Sequence, residues 1–209
     1  MAAERSLVKL GVRVRNKVRV IGVDENGAQI RTAAGEERIE AKTVVWAAGV
    51  KASGFGQVLG KAAGAPLDKG GRVQVSPDLS VPGRPEILVV GDLAALVQDG
   101  NPVPGVAPAA MQMGRHAAKA VKARIAGQSS TEPFRYFDKG SLAVIGRAAA
   151  VAYFENFGKT KATGFFAWLL WLFIHLMYIV EFESRLMVFL RWGIYYLTFY
   201  RGARLITGK

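Results

Sequence analysis

The sequence has 209 residues, a hydrophobic content of 51% and a formal net charge of +12, so it can bury the core of one large domain, or of one domain with an appendage. The lack of cysteine excludes disulfides, thiolate zinc sites and dithiol redox relays within the chain, and two histidines argue against an all-histidine metal site. The basic charge indicates nucleic acid or an anionic membrane surface as partner. Because the basic residues are scattered and no binding module is recognisable, we predict no nucleic-acid partner and no metal.

The first part of the chain has the pattern of β-structure. Alternating valines at 12–23, a tight hairpin turn at Asn26-Gly27 and a second turn near Gly35 predict a small antiparallel meander. The apolar run 43–49 ends in small residues, which is typical of a buried parallel strand whose C-terminal end a ligand approaches closely. Gly49, at that end, is a predicted cofactor-binding residue.

The middle of the chain predicts a short strand at 72–75 and a second buried parallel strand at 86–92, which ends in Gly91-Asp92. A carboxylate at the tip of such a strand lies where open α/β sheets bind ligands, and it can accept hydrogen bonds from sugar or ribityl hydroxyls. Gly91 lacks a Cβ and lets ligand and backbone come close. The alternative is that Asp92 only caps the next turn.

A helix is predicted from Pro108 to about Ala126, with Gly127 as its C-terminal cap. Its first turn, 107–110, has no bulky side chain, so its unpaired N–H groups and positive dipole end are open to an electron-rich ligand. Gln112 shares the helix face of Ala109. The alternative is an ordinary surface helix that starts with proline.

The last part of the chain is dominated by aromatics and leucine. Strand-like alternation over 134–154 precedes the segment 162–180, which carries no formal charge and would span about 28 Å as a helix, just under the hydrocarbon core of a membrane. Arginines among tryptophans and tyrosines favour interfacial helices at 162–204. The alternatives are a spanning helix at 162–180 and a buried core helix.

Four stretches resemble one family of flavoproteins. The runs TVVWAAGV (43–50) and ILVVGDLA (87–94) resemble strands of two-dinucleotide-binding-domain flavoproteins of the pyridine nucleotide-disulfide oxidoreductase type. The runs VPGVAPAAMQMGR (103–115) and FDKGSLAVIGRAAAVA (137–152) resemble the type II, non-proton-pumping NADH:quinone oxidoreductases in particular. The resemblance implies an α/β fold, a partial two-dinucleotide-binding-domain flavoprotein with a parallel sheet and a β-meander, followed by a C-terminal helical membrane-anchoring segment.

The resemblance also implies a function. Members carry FAD, oxidise NADH and reduce a membrane quinone in electron transport of the respiratory chain. By resemblance the residues that bind the cofactor are Gly49, Gly91, Asp92, Leu93, Ala107, Ala109 and Ala110, with Asp92 on the ribityl chain, the backbone near Leu93 at the pyrophosphate and the alanines along the isoalloxazine ring. The residues near the quinone are Met111, Gln112 and Lys139, with Gln112 also the predicted catalytic residue.

The predicted domains are the end of the NAD(P)H-binding domain with the meander (1–52), the second part of the FAD-binding domain (53–130), C-terminal domain strands (131–158) and membrane-anchoring helices (159–209). The sequence departs from the family in two ways. It has Pro108 where many members have glutamine, and it lacks both Gly-x-Gly-x-x-Gly turns of a family about twice its length. We therefore expect a C-terminal fragment with weak or no NADH oxidation by itself.

The expected partners are membrane lipid, quinone and NADH, with a homodimer as a further candidate, at the cytoplasmic face of the cell membrane. Two alternatives remain open. One is a different FAD-dependent pyridine nucleotide reductase, for which the missing cysteines argue against disulfide substrates. The other is a non-enzymatic membrane-associated remnant, which the missing glycine turns would fit.

Overall fold

The computed structural model describes residues 2–49, 51–128, 132–156 and 158–199. The chain divides into two compact units. We call residues 17–139 the central unit, and residues 2–16 together with 140–199 the terminal unit.

The described residues form helices and groups of short strands. The helices are α1 (Ala2–Lys9), α2 (Phe55–Ala63), α3 (Ala107–Ile125), α4 (Phe165–Tyr178) and α5 (Phe182–Thr198). The strands are β1 (Arg19–Asp24), β2 (Gly27–Thr32), β3 (Gly35–Glu40), β4 (Val73–Gln74), β5 (Ser80–Val81), β6 (Arg84–Leu88), β7 (Ala94–Ala95), β8 (Val97–Gln98), β9 (Asn101–Pro102), β10 (Ser141–Val144), β11 (Ala150–Phe154) and β12 (Thr160–Gly164).

The predicted meander is confirmed as the antiparallel sheet β1-β2-β3 of the central unit. The first turn lies one residue earlier than predicted, because Asp24 pairs with Gly27 and its Oδ1 accepts a 2.8 Å hydrogen bond from the N–H of Asn26. Gly27 instead opens β2 at a φ of +150°, and a Cβ there would lie 2.0 Å from the carbonyl oxygen of Ile39. Glycine is therefore required by the close approach of β3, in addition to the turn.

The core of the central unit lies between short strands and α3. Fully buried Val73, Leu79 and Val81 pack with Ala109 and Met113 of α3, whose side chains are 2% exposed. The helix matches its prediction, since it begins with Pro108 in the first turn and is capped at Ala126, just before Gly127. Fully burying a Leu or Val side chain contributes about 1.5–3 kcal/mol, so this cluster positions the start of α3 firmly.

The two predicted buried parallel strands do not form as predicted. Residues 43–49 belong to no helix or strand of the described residues, and Val45 and Trp46 are 81% and 65% exposed. The run 86–92 gives β6, which is antiparallel to β5 and ends at Leu88. The parallel pair found in the described residues joins β4 to β7. An apolar run favours burial, but only neighbouring strands can supply its ladder partners.

The terminal unit holds the antiparallel sheet β10-β11-β12, which α4 follows directly. Residues 162–164, predicted to be helical, belong to β12, where Ala162 pairs with Ala152. α4 and α5 have 14 and 17 residues. The predicted alternative of a spanning helix at 162–180 is wrong for the described residues, because none of their helices is long and apolar enough to cross a membrane. Residues 200–204 of the predicted interfacial segment lie outside the described residues.

Candidate functional site

The Gly91-Asp92 pair sits in a short 3₁₀ turn, Gly91–Leu93, which follows β6 after two extended residues. Gly91 has a φ of +70°, a conformation that an L side chain rarely adopts, and this bends the chain out of the strand direction. Asp92 is exposed, and within the described residues no hydrogen bond of its carboxylate is found. The carboxylate is therefore available to accept hydrogen bonds from hydroxyl groups of a ligand.

The first turn of α3 lies beside this turn. An added Cβ on Gly91 would be 3.5 Å from the Cβ of Ala110, and one on Gly105 would be 3.6 Å from Oδ1 of Asp92. The residue before the helix, Val106, is extended, and no side chain caps the helix N-terminus. Pro108 has no N–H, and the N–H groups of Ala109 and Ala110 bond the carbonyl oxygen of Val106 at 3.0 and 3.1 Å. What the helix start offers a ligand is therefore the N–H of Ala107 and the positive end of the helix dipole, next to a carboxylate and beneath small side chains.

A cavity of about 560 Å³ opens at Asp92. Its lining includes Ala52, Asp68, Gly70, Arg72, Asp92 and Gly105. Both charge signs and two glycines thus face one space. Such a lining can accept hydroxyl groups at Asp92 and offer positive charge at Arg72 to an anionic ligand.

The Asp68 carboxylate orders the loop on the other side of the cavity. Its Oδ1 accepts hydrogen bonds from the N–H groups of Gly70 (2.8 Å) and Arg72 (2.9 Å), and its Oδ2 accepts one from Nε of Arg72 (2.7 Å). The backbone bond from Arg72, with these partners, holds the pKa of Asp68 below its usual value despite some desolvation. The sequence interpretation missed this loop, although Asp-Lys-Gly-Gly-Arg at 68–72 is a recognisable turn signal.

The predicted site residues differ in their exposure to solvent. Asp92, Ala107 and Ala110 are exposed or half-buried around the turn, whereas the Ala109 side chain is buried in the core and faces away from solvent. Leu93 also packs against that core. These placements bear on side chains alone, so the predicted ligand contacts remain predictions.

Gly49, Met111 and Lys139 lie apart from the cavity lining. Gly49 is exposed, with nothing within 4 Å of an added Cβ, and Ala52 rather than Gly49 lines the cavity. Met111 is half-buried on α3, and Lys139 is exposed at the end of the central unit. Their roles next to flavin or quinone remain predictions.

Gln112 has a structural engagement that the sequence did not indicate. Its Nε2 donates to the carbonyl oxygen of Phe137 (2.9 Å), and its Oε1 accepts from the N–H of Phe137 (3.0 Å). Gln98 bonds the backbone of Tyr136 in the same way. Its Nε2 donates to the carbonyl oxygen of Tyr136 (3.3 Å), and its Oε1 accepts from the N–H (2.7 Å). We call Gln98 and Gln112 the glutamine clamp. The clamp supplies hydrogen bonds to the backbone groups of residues 136 and 137, which belong to no strand.

The terminal unit exposes a large aromatic and aliphatic surface. Phe166, Phe182 and Leu197 are 80%, 78% and 79% exposed. No residue of α5 is buried, and the buried cluster of the described terminal unit consists of Ala150, Ala152 and Ala167. Large contiguous apolar surfaces of this kind mark sites that bind proteins or membranes.

Two family models match the sequence. Residues 1–114 match the pyridine nucleotide-disulphide oxidoreductase family, and residues 139–199 match the NDH2 C-terminal domain. The chain is 43% identical over 210 residues to the type II NADH:quinone oxidoreductase Ndh of Mycobacterium tuberculosis, and 41% identical over 214 residues to NdhA of the same organism. These matches include 99% and 100% of this chain but only 44% of the length of each relative.

Solved structures show the same fold. A Plasmodium falciparum NDH2 in complex with NADH superposes with a TM-score of 0.74 at 15% identity, covering 90% of this chain and 52% of that one. The sulfide:quinone oxidoreductase of Aquifex aeolicus gives 0.61 at 14% identity, covering 80% and 41%. The mixed α/β architecture is therefore that of these enzymes, although the chain spans about half of their length or less.

The residues of the cavity and the helix start lie within the first matched region, and the aromatic surface lies within the second. Since the first match covers more than half of the sequence, the chain belongs to the pyridine nucleotide-disulphide oxidoreductase family, and it corresponds to part of a type II NADH:quinone oxidoreductase.

Proposed function

We propose that this chain forms one side of the FAD site and the membrane-facing surface of a non-electrogenic NADH:quinone oxidoreductase. The observation that carries the proposal is that Asp92 and Gly105 line one cavity, while the Gly91-Asp92 turn lies against Ala110 in the first turn of α3. When bound there, the flavin would supply hydride acceptance from NADH and electron delivery to quinone. The protein residues bind and orient it.

The residues present fit such a cofactor. The Asp92 carboxylate faces open space and would bind ribityl hydroxyls, and the N–H of Ala107 with the positive dipole end of α3 would face the electron-rich edge of the ring. Gly91 and Gly105 place no Cβ beside the site, and Gly91 has a φ of +70°, which L side chains rarely adopt. Arg72 lines the same cavity and is a candidate for a pyrophosphate contact.

Gln112 would serve quinone reduction through the segment that it holds. Both polar atoms of its amide bond the backbone of Phe137, two residues before Lys139. We therefore infer a positioning role for Gln112, with Met111 and Lys139 nearer to the quinone. The exposed aromatic surface of α4 and α5 supports attachment to the cell membrane, and the net charge of +12 supports its anionic cytoplasmic face.

The partners under this proposal are NADH, quinone, membrane lipid and, as a further candidate, a second copy of the chain. Because the chain spans 44% of the M. tuberculosis Ndh, its function is best tested in a chimera that replaces the matched part of that enzyme. The chimera is expected to bind FAD and to oxidise NADH with quinone. The isolated chain is expected to show little of either activity.

Asp92→Asn in the chimera tests the site itself. We expect FAD binding about ten-fold weaker, the loss typical of a charge-assisted hydrogen bond. Asp99→Asn is the matched control, because Asp99 is an exposed aspartate of the same unit that pairs with Arg135 at 3.5 Å and does not line the cavity. Flavin content and FAD titration measure the effect. Equal FAD affinity in the two variants would contradict the proposal.

A further inference from the structure

A second cleft lies within the terminal unit, between α4 and α5. It has a volume of about 350 Å³, and its lining includes Trp168, Trp171, Leu172, Trp192 and Tyr196. One charged residue, Arg147 from the loop between β10 and β11, completes the lining. The cleft is thus an apolar slot with a single cation.

The aromatic rings form walls and leave the slot open. Trp171 stacks on Trp192 at 5.7 Å between centroids, and Trp168 packs on Tyr196 at 5.2 Å. Gly193 lies in the lining, and a Cβ added there would meet nothing within 4 Å. Side chains paired with each other in this way define a shaped apolar space that a ligand can enter.

Arg147 is oriented by the end of α5. Its guanidinium carbon lies 4.5 Å from the ring centroid of Tyr196 and 3.9 Å from that of Phe199, and the group donates a hydrogen bond to the carbonyl oxygen of Tyr196. Both rings lie close to the guanidinium, and one of its five N–H donors bonds Tyr196, whereas no partner of the other donors is found among the described residues. A guanidinium fixed in this way matches a phosphate group bidentately.

We propose that this cleft binds one anionic phospholipid, with the phosphate on Arg147 and an acyl chain along the aromatic walls. The proposal rests on the membrane attachment proposed above and specifies its lipid partner. Charge complementarity favours this occupant, because a neutral quinone offers no anion to Arg147 and a free phosphate would leave the apolar walls unused. The surrounding surface, with Phe166 and Leu197 about four-fifths exposed, would provide access from the bilayer.

Brominated lipids test the proposal by tryptophan quenching. The chain contains four tryptophans, so Trp46→Phe leaves Trp168, Trp171 and Trp192, all of which line the cleft. Two vesicle sets contain the same phosphatidylcholine with about 20 mol% phosphatidylglycerol, so that surface charge is equal. In one set the phosphatidylglycerol is brominated, and in the other an equal fraction of phosphatidylcholine is brominated. We expect stronger quenching in the first set, reflecting a site preference on the order of five-fold, as expected for one arginine at an anionic surface.

Substitutions assign the preference to one residue. Arg147→Gln is expected to abolish the difference between the two vesicle sets, whereas Arg191→Gln, the same charge change on α5 outside the cleft, is expected to keep it. Arg147→Lys keeps the charge but loses the planar fork, and we expect a reduced difference. Circular dichroism checks that each variant keeps its helix content. If Arg147→Gln loses helix content, the reduced difference expected for Arg147→Lys is the test of the site.

Each remaining outcome has a defined meaning. Vesicle binding with equal quenching in both sets, or equal effects of Arg147→Gln and Arg191→Gln, would overturn the lipid site while leaving membrane attachment intact. Loss of the preference on adding inorganic phosphate or a quinone would assign the cleft to that ligand and also overturn it. If the chain failed to bind vesicles of either kind, both this inference and the membrane part of the proposed function would fail.

Discussion

The two units differ in the size of the apolar side chains that they bury. The central unit buries Val73, Leu79, Val81 and Met113 in one cluster, whereas the buried cluster described for the terminal unit consists of three alanines. The terminal unit nevertheless carries three of the four tryptophans. A water-soluble domain buries its bulkiest apolar residues, because their burial contributes most to stability. The terminal unit instead leaves its tryptophans only half-buried and exposes Phe166, Phe182 and Leu197 by about four-fifths, as expected for a surface that meets an apolar medium.

Removing one large apolar side chain from each unit gives the largest test of this comparison. Leu79→Ala in the central unit should lower the free energy of unfolding by about 2–5 kcal/mol, because Leu79 is fully buried and the change leaves a cavity. Phe166→Ala in the terminal unit should change it by less than about 0.5 kcal/mol, because Phe166 is 80% exposed. Denaturant unfolding measures the first effect and vesicle flotation measures the expected loss of membrane binding by the second variant.

The comparison would break if Phe166→Ala were as destabilising as Leu79→Ala. That result would mean that the aromatic surface contributes to the fold itself and is covered in solution. Loss of flotation by Leu79→Ala while that variant remained folded would also contradict the comparison, because membrane binding would then depend on the core of the central unit.

The glutamine clamp predicts a smaller effect within the central unit. Gln112→Leu should cost about 1–2 kcal/mol of unfolding free energy, because two hydrogen bonds to the backbone of Phe137 are lost. Gln57→Leu on α2 is the matched control, an exposed glutamine without such a clamp, and it should be close to neutral. Chemical denaturation of both variants checks this. Equal stability of the two variants would mean that the bonds of Gln112 to Phe137 do not stabilise the fold, and that Gln112 acts toward a ligand alone.

The smallest expected effect concerns acid titration of the meander. The pKa of Asp24 is lowered from an ordinary 3.8 to about 2, chiefly by hydrogen bonds from the Arg38 guanidinium at 2.7 and 2.9 Å. Because the folded pKa lies below the unfolded one, the stabilisation is complete above about pH 4 and is lost as the pH falls through about 2. NMR titration of the Asp24 carboxyl carbon measures this pKa.

Arg38→Gln should return the pKa of Asp24 toward 3.8, and Arg31→Gln should leave it unchanged, since Arg31 pairs with Glu36 instead. An unchanged Asp24 titration in the Arg38 variant would show that the pair is not formed in solution.

Local sequence signals predicted the local elements. The meander, helix α3 with its proline start, and the short strand near 73 depend on turn residues and on periodicity within a few positions. The resemblance carried by 103–115 and 137–152 is in keeping with the matched families. Small residues at 107–110 also predicted a helix start without bulky side chains, since an alanine remains small in any fold.

Tertiary structure decided what pairs with what. An apolar run such as 43–49 can be a buried strand or an exposed segment without strand partners, and only its neighbours determine which. The same holds for Gln112, which the sequence predicts to be a catalytic residue near the quinone, because its amide bonds Phe137, 25 positions further along the chain. The sequence by itself thus determined the turns, the helix start and the family. Which groups meet at Asp92 and Arg147, and with which partners, depended on long-range contacts that residue order does not encode locally.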